Sequence, residues 1–175
     1  IVLLALASVA QAECYIGGEV TAEANADPMY PNWMYTATIH WDTGTPYALS
    51  HLDMLLDTAA GTCMCSDLAD ALTYEGIPGY SEGEGGCTVE YETFLECNGD
   101  PSIPDVGGIL FKLEPVEDEF GCEPGTTGTA TFTFYSDLGP APIDEEMLLL
   151  FDKFGQLNCA GYLSGMFPGL TCDPV

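Results

Sequence analysis

Residues 33–41 read Trp33-Met34-Tyr35-Thr36-Ala37-Thr38-Ile39-His40-Trp41. Trp33, Tyr35, Ala37, Ile39 and Trp41 fall on one face of an extended chain, and Met34, Thr36, Thr38 and His40 fall on the other. A period of two marks a strand with one face turned to a core, because successive side chains leave an extended backbone on opposite sides. The β-branched and aromatic content agrees with that assignment. The fold class turns on this segment.

The same pattern recurs on both sides of it. Tyr15 to Ala24 reads as a first strand. After the turn Asp42-Thr43-Gly44-Thr45-Pro46, residues 47–56 place Leu52, Met54 and Leu56 on a shared face. Residues 107–116 put Ile109, Phe111 and Leu113 inward and Lys112 and Glu114 outward. Thr127 to Tyr135 sets Thr129, Thr131 and Thr133 against Ala130, Phe132 and Phe134. Residues 147–154 and 157–163 read as a closing hairpin around Gly155-Gln156. Helix is expected only at 66–72, with Ser66 as N-cap. Residues 75–105 are rich in Gly, Pro, Ser and acids, and read as a long loop excursion stapled by Cys87 and Cys97. Short strands, regular turns and little helix predict an all-β fold, an Ig-like antiparallel β-sandwich.

The aromatic strand, its turn and Ala48-Leu49-Ser50-His51-Leu52-Asp53 resemble β-sandwich modules in large secreted proteins of environmental bacteria. The resemblance covers residues 30–57. It implies the sandwich and carries over no functional residue.

Residues 1–12, Ile-Val-Leu-Leu-Ala-Leu-Ala-Ser-Val-Ala-Gln-Ala, have the apolar run and the A-x-A site of a secretory signal peptide. The run is too short for a membrane anchor, which needs about 20 apolar residues. The expected arrangement is therefore a partial signal at 1–12 and one β-sandwich domain at 13–175, secreted or cell-surface, in an extracellular or periplasmic setting. No integral membrane segment is expected.

Acidity bounds the partners. The chain carries 28 Asp and Glu against two Lys and no Arg, for a formal charge of −26. Phosphate contacts come from Lys and Arg, so nucleic acid is excluded as a partner. Disorder would need few apolar residues; here 47% are apolar and the chain should fold. A glycan or a protein partner remains compatible.

Eight cysteines follow the export signal: Cys14, Cys63, Cys65, Cys87, Cys97, Cys122, Cys159 and Cys172. In an oxidising compartment they imply four disulfides. Cys63 and Cys65 are one residue apart, point to opposite faces and should bond different partners, the nearest being Cys87 and Cys97. A zinc site on Cys63-Met64-Cys65 is disfavoured, because structural zinc pairs are usually spaced by two to four residues.

Catalytic signatures are scarce. The two histidines are His40 and His51. A Ser-His-Asp relay would use Ser50 or another Ser with His51 and Asp53, but Ser50 and His51 are neighbours that face opposite ways on a strand, and no G-x-S-x-G elbow occurs. Asp144-Glu145-Glu146 is the densest acid cluster and reads as a solvated turn. Calcium is the cofactor the acidity suits, with Asn98, Asp100 and Asp105 around a Pro-rich turn, or Asp144 to Glu146, as candidate ligands. Tyr80 and Tyr91 are candidate ligand-binding aromatics, since ring faces stack on sugars. These features predict a structural or adhesive module that binds a glycan or protein partner. The alternative is a secreted carboxylate-dependent hydrolase such as a glycosidase.

Overall fold

The computed structural model describes residues 14–56, 63–103, 107–116, 121–143, 147–153 and 157–170. The expected signal at 1–12 lies outside them. The elements are β1 (Tyr15–Ala24), β2 (Trp33–Asp42), β3 (His51–Leu55), α1 (Cys65–Ala71), β4 (Gly79–Glu82), β5 (Thr88–Glu96), β6 (Leu110–Pro115), β7 (Thr127–Ser136), β8 (Pro140–Pro142), β9 (Met147–Lys153) and β10 (Leu157–Pro168).

The all-β class holds, but two facing sheets do not form. One curled sheet runs β1-β2-β7-β4-β5-β6-β3-β9-β10, and β10 pairs with β1 again. The ring therefore closes, with β8 attached along β10. Closure leaves those nine strands without a free edge. Neighbours are antiparallel except at the closing seam, where β1 and β10 run parallel from Gly17↔Tyr162 to Val20↔Gly165.

That seam depends on glycine. A Cβ at Gly161 would collide with the carbonyl of Ile16, and one at Gly165 with that of Val20. Gly165 also holds φ +108, a backbone region that favours glycine. The Cys14–Cys159 disulfide crosslinks the same two strands three residues before the first register pair, with its Cα atoms 6.0 Å apart.

The core fills the inside of the ring. Val20, Tyr35, Ala37, Ile39, Leu52, Val89, Phe111, Leu113, Phe132 and Leu163 are all buried in it. Aromatic packing ties its strands together: Tyr35 stacks on Phe134 at 5.3 Å, and Phe111 meets Phe134 edge-on at 5.8 Å.

The sequence reading errs chiefly at residues 75–105. This segment is not a loop excursion, because β4 and β5 lie within it and occupy the middle of the sheet. Val89 and Tyr91 face the core, while Thr88, Glu90 and Glu92 face solvent. Glutamates at alternate positions mark the wet side of a strand, and the high acid content hid that period. Helix α1 also starts earlier than expected. Met64 holds the N-cap position in place of Ser66, and its backbone N–H donates to Asp67 Oδ2 at 2.9 Å.

Cys65 bonds Cys97 and Cys87 bonds Cys122. Cys63 is disulfide-bonded as well, so Cys63 and Cys65 do take different partners. Cys172 lies outside the described residues. These crosslinks suit an oxidising compartment. Among the described residues, no helix is long and apolar enough to cross a membrane.

Candidate functional site

Strand β3 is buried along its whole length, His51 through Leu55. Its inner residues, Leu52 and Met54, pair with Leu113 and Phe111 of β6 and join the core. Its outer residues are His51, Asp53 and Leu55. A strand face that bears His and Asp should meet water, yet this one does not.

The reason is the segment that follows β5. The Cys65–Cys97 disulfide fixes its start, and a Gly99 N–H to Gly108 O hydrogen bond of 2.8 Å draws its two limbs together. Asp100 begins a tight turn in which Ile103 N–H donates to Asp100 O at 3.1 Å and Ser102 N–H donates to Asp100 Oδ1 at 2.6 Å. Asp100 and Ile103 are both 2% exposed. Ile103, Leu55 and Leu110 are buried without belonging to the main core, so apolar burial accompanies the polar group outside the ring.

The polar atoms converge on one imidazole nitrogen. His51 Nε2 lies 3.6 Å from Asp53 Oδ2, 3.3 Å from Asp100 Oδ2 and 3.3 Å from Ser102 Oγ. Lys112, the register partner of Asp53, places Nζ 3.1 Å from Asp100 Oδ2 and 2.6 Å from Glu114 Oε1. Asp53 is fully buried, and neither of its oxygens has a hydrogen-bond partner; the 3.6 Å approach of His51 is ion-pair distance only.

Environment sets the ionisation of these groups. Burial pushes the Asp53 carboxyl up; His51 and Lys112 pull it back only in part, and the charge of Asp100 adds to the rise. Burial also opposes ionisation of Asp100, but Ser102, Lys112 and His51 outweigh it and hold that carboxyl below its ordinary value. Lys112 is partly desolvated, yet Glu114 and Asp100 raise it well above the usual ammonium range.

This arrangement is not a nucleophilic relay. A Ser-His-Asp relay needs the hydroxyl and the carboxylate on opposite imidazole nitrogens. Here Ser102, Asp53 and Asp100 all face Nε2. The cluster also lies behind the 98–103 segment, where no polymer chain could reach it.

The anticipated site residues are scattered. Of the expected calcium ligands, Asp100 turns inward to His51, Asn98 is exposed and Asp105 lies outside the described residues. Asp144, Glu145 and Glu146 also lie outside them. Tyr80 is 48% exposed on β4. Tyr91 is a core residue and not an exposed aromatic: its hydroxyl and that of Ser81 are hydrogen-bonded at 3.0 Å, and its ring meets Phe132 edge-on at 5.3 Å. The alternation of β5 compels this, because Tyr91 shares the parity of Val89. His40 is exposed and bonds Thr129 Oγ1 at 2.7 Å.

Sequence reasoning set His51 beside Asp53 only as parts of a rejected relay, and missed that Asp100 joins them in a buried group. The available signal was His-x-Asp on one face of a strand whose other residues are apolar, with one of the chain's two lysines on another predicted strand.

A second feature lies on β5, across β6 from β3. An open groove of ≈ 530 Å³ runs between the 74–78 turn and β5. Tyr74, Ile77 and Phe94 give it apolar surface, and Glu90, Glu92 and Glu96 line one side. Phe94 is 41% exposed. Its position opposite Lys112 in the β5–β6 register places the groove beside the buried cluster.

Comparison of the chain with protein-family models, curated proteins and solved structures yields no match.

Proposed function

We propose that this chain is a non-catalytic, disulfide-stapled extracellular module, and that it holds a cationic segment of a partner protein in the groove between the 74–78 turn and β5. The groove carries the reading: a concave apolar strip flanked by Glu75 and by the three glutamates of β5. Lysine and arginine side chains suit such a surface, since their stems cover apolar area while their heads meet carboxylates. The charge of −26 would also steer a basic partner toward the chain. A glycan would want a platform of exposed rings, and the burial of Tyr91 removes half of the Tyr80–Tyr91 pair. At the buried cluster a carboxylate-dependent hydrolase is disfavoured, because its acids must be reachable from a cleft and Asp53 and Asp100 are enclosed.

Calorimetric titration with an oligolysine peptide tests this reading. The triple variant E90Q/E92Q/E96Q should weaken binding at least tenfold. The control E19Q/E23Q/D27N, which removes as much charge from exposed residues elsewhere, should weaken it far less. Equal losses in both would reduce the interaction to diffuse charge and overturn the proposal. So would binding of neutral oligosaccharides by a chain that ignores the peptide.

A further inference from the structure

The buried cluster on the outer face of β3 has a geometry that hydrogen bonding does not account for. Both oxygens of Asp53 lack a hydrogen-bond partner, and so does Asp100 Oδ2, whose contact with Lys112 is an ion pair without hydrogen-bond alignment. An enclosed carboxylate without donors is costly unless something compensates its charge. The cations within reach do not suffice. The two enclosed carboxylates, Asp53 and Asp100, have one ammonium beside them, Lys112, which bridges Asp100 to the half-exposed Glu114 and makes no ion pair with Asp53.

The donor atoms are spaced for a metal ion. His51, Asp53 and Asp100 each offer one ligand atom, and these atoms all lie within 4.8 Å of one another. The two distances from His51 Nε2 are 3.6 and 3.3 Å. Ligand atoms about 2.0–2.1 Å from a tetrahedral zinc ion stand roughly 3.4 Å apart. Ser102 Oγ, 3.3 Å from the same nitrogen, stands where a fourth ligand or a bound water would sit. A divalent cation would supply the charge and the coordination that the unpartnered Asp53 and Asp100 oxygens lack.

We propose that His51 Nε2, Asp53 Oδ2 and Asp100 Oδ2 form a binding site for a divalent transition-metal ion of the zinc type. The site fastens the 98–103 segment onto β3.

The donor set selects the ion. An imidazole nitrogen suits zinc and its neighbours, whereas calcium and magnesium take oxygen. Enclosure makes the role structural, because three protein ligands behind a fixed turn leave no approach for a substrate. The metal would join two parts of the chain 47 residues apart, His51–Asp53 and Asp100, where the Cys65–Cys97 disulfide already anchors the turn. Lys112 stays on Asp100 and Glu114 and acts as an electrostatic brake on affinity. This inference is independent of the groove reading, since the two sites share no residue.

The test is calorimetric titration of chelator-treated protein, disulfides intact, with zinc, manganese, calcium and magnesium chlorides. One zinc should bind per chain, at least 100-fold more tightly than calcium. The near-isosteric D53N should weaken that step at least 100-fold and leave weak surface binding unchanged. K112Q, which removes the competing charge, should tighten it severalfold. Histidine NMR on the unaltered chain guards against a variant that fails to fold. Zinc should shift the His51 ring and spare His40. Calcium binding as tight as zinc, retention of the stoichiometric step in D53N, or equal shifts of both rings would overturn the site.

Discussion

The two faces of β3 are buried to the same degree by opposite means. Inside the ring, Leu52 and Met54 meet Phe111 and Leu113, and burial itself is the stabilising term. Outside it, His51 and Asp53 are covered by a turn of the 98–103 segment, and the burial of Asp53 works against its charge. The inner face is what a sheet needs in order to fold. The outer face costs stability unless a counter-charge is present, which is why it is the better place to look for a function. One strand thus separates a packing problem from an electrostatic one.

Reduction should affect both faces at once and most severely. Losing a disulfide costs about 2–5 kcal/mol, and small domains hold only about 5–15 kcal/mol in total. The Cys14–Cys159 bond closes a separation of 145 residues at the parallel seam, and Cys65–Cys97 holds the cover over β3. Reduced protein should lose its cooperative melt at neutral pH, as circular dichroism would record. Alkylation of the native protein before reduction should label no cysteine, as intact mass would show.

Truncating the inner face comes next. Phe111→Ala should cost about 3–5 kcal/mol in denaturant unfolding, because a fully buried ring leaves a cavity that the surrounding sheet cannot collapse into. A loss below about 1 kcal/mol would mean that the ring interior is loosely packed.

The outer face should answer differently to its two charges. Lys112→Met removes the ammonium that Asp100 depends on and should cost about 3 kcal/mol, within the range seen when one partner of a buried pair is lost. Asp53→Asn in metal-free protein should change stability by less than about 1 kcal/mol or raise it, because it deletes an unpartnered charge. If Asp53→Asn costs as much as Phe111→Ala, the contrast between the two faces fails.

The smallest effect at neutral pH comes from the core tyrosines. Burial pushes Tyr35 and Tyr91 up to about 12 from 10.0, with the Ser81 bond offsetting part of the rise for Tyr91. A raised folded value means that the unfolded chain releases these protons first. Their contribution to stability is therefore fully present below pH 10 and is lost as pH rises from 10 through about 12. Ultraviolet titration should show a late phenolate class, from Tyr35 and Tyr91, that appears with unfolding. One class with an ordinary midpoint would place Tyr91 at the surface after all.

Alternation made β1, β2 and β7 legible in the sequence, because each has one wet and one dry face and its side chains record both. The same rule applied to β5 would have found it, but glutamates dense enough to suggest a loop obscured the dry positions Val89 and Tyr91. β3 carried a different difficulty. Its outer face is polar in sequence and buried in space, and local pattern reports polarity, not enclosure.

The sequence by itself determined the strand-rich class, the inward set of most strands, the even cysteine count and the strongly acidic charge. These follow from local periodicity and composition, which do not depend on how strands are joined. Tertiary structure alone decided that the sheet closes on itself through a parallel β1–β10 seam, that Cys87 reaches Cys122, and that Asp100 joins His51 and Asp53. Those are long-range contacts, fixed by register and by what covers each face. Their free energy depends on positions far apart in the chain, so no local stretch of residues encodes them.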